Sequence, residues 1–268
     1  GWSPSWSSLV PIQASGTKPP LFLVHGAEGN VLLYRDVARH LGPDQPVYGL
    51  QSQGLNGDEP LNVTVPEMAA HYVTEIQTVQ PHGPYFLGGY CLGGTVAFEM
   101  AQQLTAKGEK VELVVLLETY NNCAVNHRTI PFQTAVHGLQ NLWFHFANAA
   151  SLRPGDFWKF LSQKFDIELA RLKLRLNPSR YPHVRLTAVN DQAADQYLPK
   201  RYVGRIAVIR PRAHFAGLAS PSLGWDRSVE SGLDVHQLPV YPRGMLIEPF
   251  CRVLAETIAR CLRSGKPN

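Results

Sequence analysis

The first place in this chain where residue types and spacing suit chemistry is Gly88-Gly89-Tyr90-Cys91-Leu92-Gly93-Gly94. The apolar run Tyr85-Phe86-Leu87 precedes it and a helical stretch from Gly93 to Lys107 follows, so Gly-x-Cys-x-Gly falls between a strand and a helix. That is the setting of a nucleophile elbow, with sulfur where oxygen is usual. Such a turn is tight and strained, and Gly89 and Gly93 remove the side chains that would block it. The sulfur is then expected to stand above a sheet at the positive end of a helix, which should favour the thiolate. Leu92 is expected to turn its backbone N–H toward a developing oxyanion. A phosphate-binding loop is excluded, because no Gly-Lys-Ser/Thr completes the pattern.

Three further residues are expected to gather around Cys91. His25-Gly26-Ala27-Glu28-Gly29 follows the apolar run Leu21–Val24, and Ala27 is the expected second oxyanion donor. His25 is a weak candidate for the base that activates the thiol. Glu118 ends the apolar stretch Val111–Leu117, where an uncompensated carboxylate is costly to bury, so it is a candidate acid or base. Cys123, Cys251 and Cys261 have no CxxC spacing and suggest neither a metal site nor a disulfide framework.

These positions need a scaffold that presents several loops at one edge. Apolar runs at Leu21–Val24, Pro46–Leu50, Pro84–Leu87 and Val111–Leu117 alternate with helical patterns, which predicts a mostly parallel doubly wound sheet with helices on both faces. Thr64-Val65-Pro66-Glu67 predicts a capped helix carrying Met68, Tyr72, Val73, Ile76 and Val79 on one face. From about Asn121 to Tyr197 the periodicity is helical, and strands resume at Arg205–Ile209 and Leu233–His236 before a final helix near Glu248–Leu262. A helical insertion of this kind is expected to act as a lid. Its aromatic residues Trp143, Phe144, Phe146, Phe157, Trp158 and Phe160 are expected to be mainly core, and Arg171, Lys173 and Arg175 a solvated basic face. Residues 1–20 read as a linker with one strand near Ser8–Gln13.

The 268 residues, 44% of them hydrophobic, form enough core for a single domain and exclude a disordered chain. A net charge of +4, without clustering, does not suggest nucleic-acid binding. No run of 18 uncharged apolar residues and no signal-peptide pattern occurs, so a cytoplasmic setting without membrane contact is expected.

The sequence resembles the type I thioesterase domains of non-ribosomal peptide and polyketide synthetases, which have the α/β-hydrolase fold. The resemblance rests on Leu9-Val10-Pro11, Pro20–Gly26, Gly89–Gly94, Leu116-Leu117-Glu118, Tyr202–Arg205, Gly224-Trp225 and Met245-Leu246-Ile247-Glu248-Pro249. It implies acyl transfer from the phosphopantetheine arm of a carrier protein to the elbow residue, then release by water or an internal nucleophile. It implies no metal and no cofactor held by the domain itself. Three positions depart from the family pattern. Cys91 stands where Ser is usual, Glu118 where Asp is usual, and Pro242 where the catalytic His belongs. His236 is near in sequence but is not the matching residue. A thiol can be acylated without imidazole, and amines attack thioesters more readily than unactivated water does. The expected activity is therefore cyclising release by an amine, similar to that of thioesterases forming β-lactam or β-lactone rings. The alternatives are hydrolysis with a repositioned His and a non-catalytic carrier-binding domain.

Overall fold

The computed structural model describes residues 7–55, 62–124, 133–176, 183–215, 220–230 and 232–264. Seven strands form one sheet in the order β1-β3-β2-β4-β5-β6-β7. They are β1 (Leu9–Gln13), β2 (Leu21–Val24), β3 (Val47–Leu50), β4 (Tyr85–Tyr90), β5 (Val111–Leu117), β6 (Ile206–Arg210) and β7 (Leu233–Gln237). Among the described strands only β1 runs antiparallel, along β3 at the sheet edge, where the sequence predicts a strand near Ser8–Gln13. The central strands are covered on both faces, which is why they read as unbroken apolar runs: all four β2 residues and the last five of β5 are buried.

Helices α2 (Val65–Gln77) and α3 (Leu92–Ala106) share one core layer, with Met68, Tyr72 and Phe98 fully or nearly fully buried. Helices α1 (Arg35–Leu41) and α7 (Phe250–Arg263) share the other, through Val37, Leu254 and Ile258. Thr64 caps α2 as its sequence predicts: its hydroxyl accepts from the Glu67 N–H at 3.3 Å, and the Glu67 carboxylate accepts from the Thr64 N–H at 3.1 Å. The helix ends at Gln77, however, and Val79 is exposed rather than part of the buried face.

The chain moves outward from β2 to β3 and then returns past β2 to β4. The loops after β2 and β4 therefore diverge at the carboxyl edge, the place where sheets of this kind bind ligands. Between β5 and β6 lie α4 (Gln133–Ala150), α5 (Pro154–Leu176) and α6 (His183–Gln196). Phe144 and Phe160 are buried as expected, but Trp143 is 57%, Phe146 65% and Trp158 68% exposed. The aromatic set is thus not mainly core. Two amphipathic helices place one stripe inward and leave a second apolar stripe facing a groove of about 1030 Å³ between α4 and α5. The side chains of Arg171, Lys173 and Arg175 lie outside the described residues. Helix α6 is seated differently. Just beyond it, the Tyr197 hydroxyl donates to Glu99 Oε2 at 2.6 Å and accepts from Gln102 Nε2 at 2.9 Å, tying it to α3.

Candidate active site

Cys91 closes β4 and caps α3 with φ 55 and ψ −122, a backbone conformation that L residues avoid. Three contacts hold it there. The Cys91 N–H donates to the Leu117 carbonyl at 3.0 Å, and the Gly94 N–H donates to the Cys91 carbonyl at 3.1 Å. The Tyr90 N–H, one residue earlier, donates at 2.8 Å to the Tyr34 hydroxyl, which itself donates to the Val24 carbonyl at 2.6 Å. A methyl group on Gly89 would run into the Gly93 backbone, and one on Gly93 into the carbonyls of Val24 and His25. The glycines of the motif are therefore required by the packing of β4, α3 and the loop after β2.

The Cys91 side chain reaches solvent, yet it is crowded by protein. Desolvation there pushes the thiol up to about 11. The Leu92 N–H pulls in the opposite direction, as a helix end should, while the Glu118 and Asp191 carboxylates push further upward. The expected helix-stabilised thiolate is thus corrected: on the order of one thiol in 10⁴ is ionised near pH 7 without help.

Glu118 follows β5, with φ 43 and its N–H donating to the Ile209 carbonyl at 2.9 Å. Its side chain is buried, and desolvation raises the carboxyl to about 7. Opposing that rise are the Arg243 backbone N–H, the Tyr90 hydroxyl, 3.4 Å from Oε2, and the charges of Arg243 and Lys164. The position expected to carry imidazole, Pro242, is followed by Arg243 with φ 61, and it is the Arg243 backbone that turns toward Glu118. Two residues of the helical insertion hold this loop. Asn148 on α4 pairs with both backbone groups of Tyr241, at 2.9 and 3.3 Å, and Lys164 on α5 donates to the Arg243 carbonyl at 3.2 Å.

His25 is fully buried, with Nδ1 at 2.6 Å from the Gly26 carbonyl and Nε2 at 2.7 Å from the Tyr72 hydroxyl. Burial lowers its pKa to about 4, and both ring nitrogens are engaged within the core. His236 lies on β7 with Nε2 3.3 Å from Cys261 Sγ. The loop after β2 turns through a 2.9 Å bond from the Gly29 N–H to the Gly26 carbonyl, and Ala27 within it is half-buried. Sequence patterns did not single out Arg243, Lys164, Asp191 or the α6 residue Asn190, whose Nδ2 donates to the Ala27 carbonyl at 2.8 Å. They come from distant segments and share no local motif.

His40, Glu248 and Cys251 bring their donor atoms within 4.8 Å of one another, a spacing that suits a cation. Arg39 already supplies the positive charge: its guanidinium and the His40 ring meet Glu248 Oε1 at 2.5 and 2.8 Å. A cavity of about 340 Å³ beside Pro19, Pro84 and Phe86 lies at the opposite end of the sheet from Cys91. Among the described residues no helix is long and apolar enough to cross a membrane.

Residues 19–133 match the family model of the Thioesterase domain. The fold, a mostly parallel seven-stranded sheet with helices, is that of α/β-hydrolase thioesterases. The chain is similar to the dimodular nonribosomal peptide synthase of Bacillus subtilis (strain 168), 48% identical over 114 residues that make up 42% of this chain and 5% of that protein. It is also similar to an atromentin synthetase of Paxillus involutus, 38% identical over 195 residues, 66% of this chain and 20% of that one. The chain thus spans a small part of the length of these curated relatives. Among solved structures it is similar to the NocB thioesterase domain in covalent complex with a fluorophosphonate nocardicin G analog. That match has 27% identity and a TM-score of 0.69, over 96% of this chain and all of the other. These similarities support a type I thioesterase domain of the kind found in nonribosomal peptide synthetases.

Proposed function

We propose that this chain releases a peptidyl or acyl chain from a carrier protein by way of a thioester on Cys91, and that release proceeds by attack of an amine within the chain itself. The observation that carries the proposal is the pairing of a strained, solvent-reaching Cys91 with a buried Glu118 poised at about 7. Glu118 takes the thiol proton as sulfur adds to the phosphopantetheine thioester. The Leu92 and Ala27 N–H groups face the oxyanion. The bond to pantetheine sulfur breaks, that sulfur receives the proton, and the acyl group stays on Cys91.

The second half reverses these roles. An amine of the bound chain adds to the Cys91 thioester, the carbon–sulfur bond breaks, and the proton leaving nitrogen passes through Glu118 to Cys91. Water is a poorer nucleophile than an amine and depends more on its base, a task that would fall to Glu118 alone. Pro242 supplies no base, and His25 keeps both nitrogens in the core. A small ring, a β-lactam among the candidates, suits this chemistry because the enzyme thioester retains the activation of the carrier-bound one. No cofactor takes part; the substrate arrives on the phosphopantetheine of a carrier domain.

Hydrolysis is the second reading, favoured by one observation. His214, in the loop after β6, lies with Nδ1 3.4 Å from the Tyr120 hydroxyl, and Tyr120 feels the charges of both Glu118 and Cys91. Burial, and then the charge of Arg210, which lies 3.0 Å from its Nε2, lower its basicity. Product mass separates the two readings. Cyclisation yields a product lighter than the free acid by one water, and free acid as the sole product would overturn the cyclising proposal.

A further inference from the structure

Asn190 on α6 has no solvent exposure, and its Nδ2 donates to the Ala27 carbonyl across 163 residues of sequence. Its Oδ1 is equally buried and meets no hydrogen-bond partner among the described residues. Leaving a buried acceptor unpaired costs about 1–3 kcal/mol, a penalty that an apolar side chain would avoid. What the amide adds in return is a single donor to Ala27. The same loop is pressed against α6 at a second point. Gly29 has φ 81, and a methyl group on it would stand 2.6 Å from Leu186 Cδ2. Because Tyr197, just beyond α6, is tied to α3, and Cys91 caps α3, the oxyanion loop and the nucleophile take their positions from one joined pair of helices. The Ala27 N–H and C=O belong to adjacent peptide planes joined at one Cα, so pinning the carbonyl restricts the rotation that aims the N–H.

We infer that Asn190 is a positioning residue for acyl transfer. It holds the Ala27 carbonyl so that the Ala27 N–H faces the oxygen that becomes negative when Cys91 sulfur adds to the thioester. The inference rests on the proposed function, in which Ala27 is an oxyanion donor. It makes that donor depend on the seating of α6, a helix that would otherwise count only as lid.

The test compares the rate of acylation with ground-state binding in the full chain. A pantetheine thioester reports the acylation rate by quenched intact-protein mass. Its unreactive amide analogue reports ground-state binding, and a peptide aldehyde reports oxyanion binding through its thiohemiacetal. Asn190→Ala should slow acylation by about 10–100-fold and weaken the aldehyde by a matching factor, with the amide analogue changed less than about twofold. Ala193→Gly, on the same helix but turned into the core, should leave the acylation rate near wild type. If Asn190→Ala does not fold, Asn190→Ser, too short to reach Ala27, is read in the same way. Wild-type acylation by the Asn190 variant would overturn the inference, as would equal losses for aldehyde and amide analogue. A wild-type protein that never forms acyl-Cys91 would instead overturn the proposed function beneath it.

Discussion

The turn after β4 and the loop after β7 meet at one edge of the sheet but are built differently. At the first, backbone approach dictates each residue: Gly89 and Gly93 touch carbonyl and main-chain atoms, and Cys91 is held at φ 55 between them. At the second, the resemblance calls for imidazole, but Pro242 stands there and Arg243 at φ 61 offers Glu118 a backbone N–H and a positive charge. In the proposed function the first presents a nucleophile and an oxyanion donor, and the second, with Pro242 in place of imidazole, has no part in proton transfer. On that proposal, placing the electrophile and moving protons are separable tasks, and the second is assigned to Glu118.

Several substitutions break or sharpen that contrast, beginning with the largest effect. Cys91→Ala removes the covalent route, and release of a carrier-bound thioester should fall about 10⁴-fold or more in a steady-state assay. Cys91→Ser keeps the turn but requires a stronger base, so release should fall about 10³-fold. Adding Pro242→His in that background should recover about tenfold and raise the share of free acid. Glu118→Gln should slow release about 10²-fold. It should also abolish the rise in rate with pH below about 7, where the wild-type carboxyl gains its charge.

The same carboxyl has a stability signature. A carboxyl raised on folding from 4.5 to about 7 keeps its proton while the unfolded chain releases it. Wild-type stability should therefore decline as pH rises from 4.5 to 7, by about 3 kcal/mol at most, and Glu118→Gln should remove that decline in denaturant melts. At the far end of the scale, Trp158→Ser on the exposed groove face of α5 should change stability by less than about 0.5 kcal/mol.

The elbow was legible from residues alone because its geometry is local: Gly89, Cys91 and Gly93 lie within five positions, between an apolar run and a helix. The parallel strands were legible for the same reason, since burial on both faces makes them continuous apolar runs. The exposure of Trp143 and Trp158 was not, because helical spacing groups aromatic residues without saying what covers them. The thiol of Cys91 moved opposite to expectation because the helix end is visible in sequence while the crowding around the sulfur is not. Asn190 and Arg243 were also hidden: each acts on a residue more than a hundred positions away.

Quenched intact-protein mass spectrometry with a carrier-bound or pantetheine thioester tests the central claim most directly. Wild-type protein should gain the mass of the acyl group on the Cys91 peptide within the first turnover and lose it as product appears, and Cys91→Ala should gain nothing. Undiminished release from Cys91→Ala, or turnover by wild type with Cys91 never modified, would contradict the account.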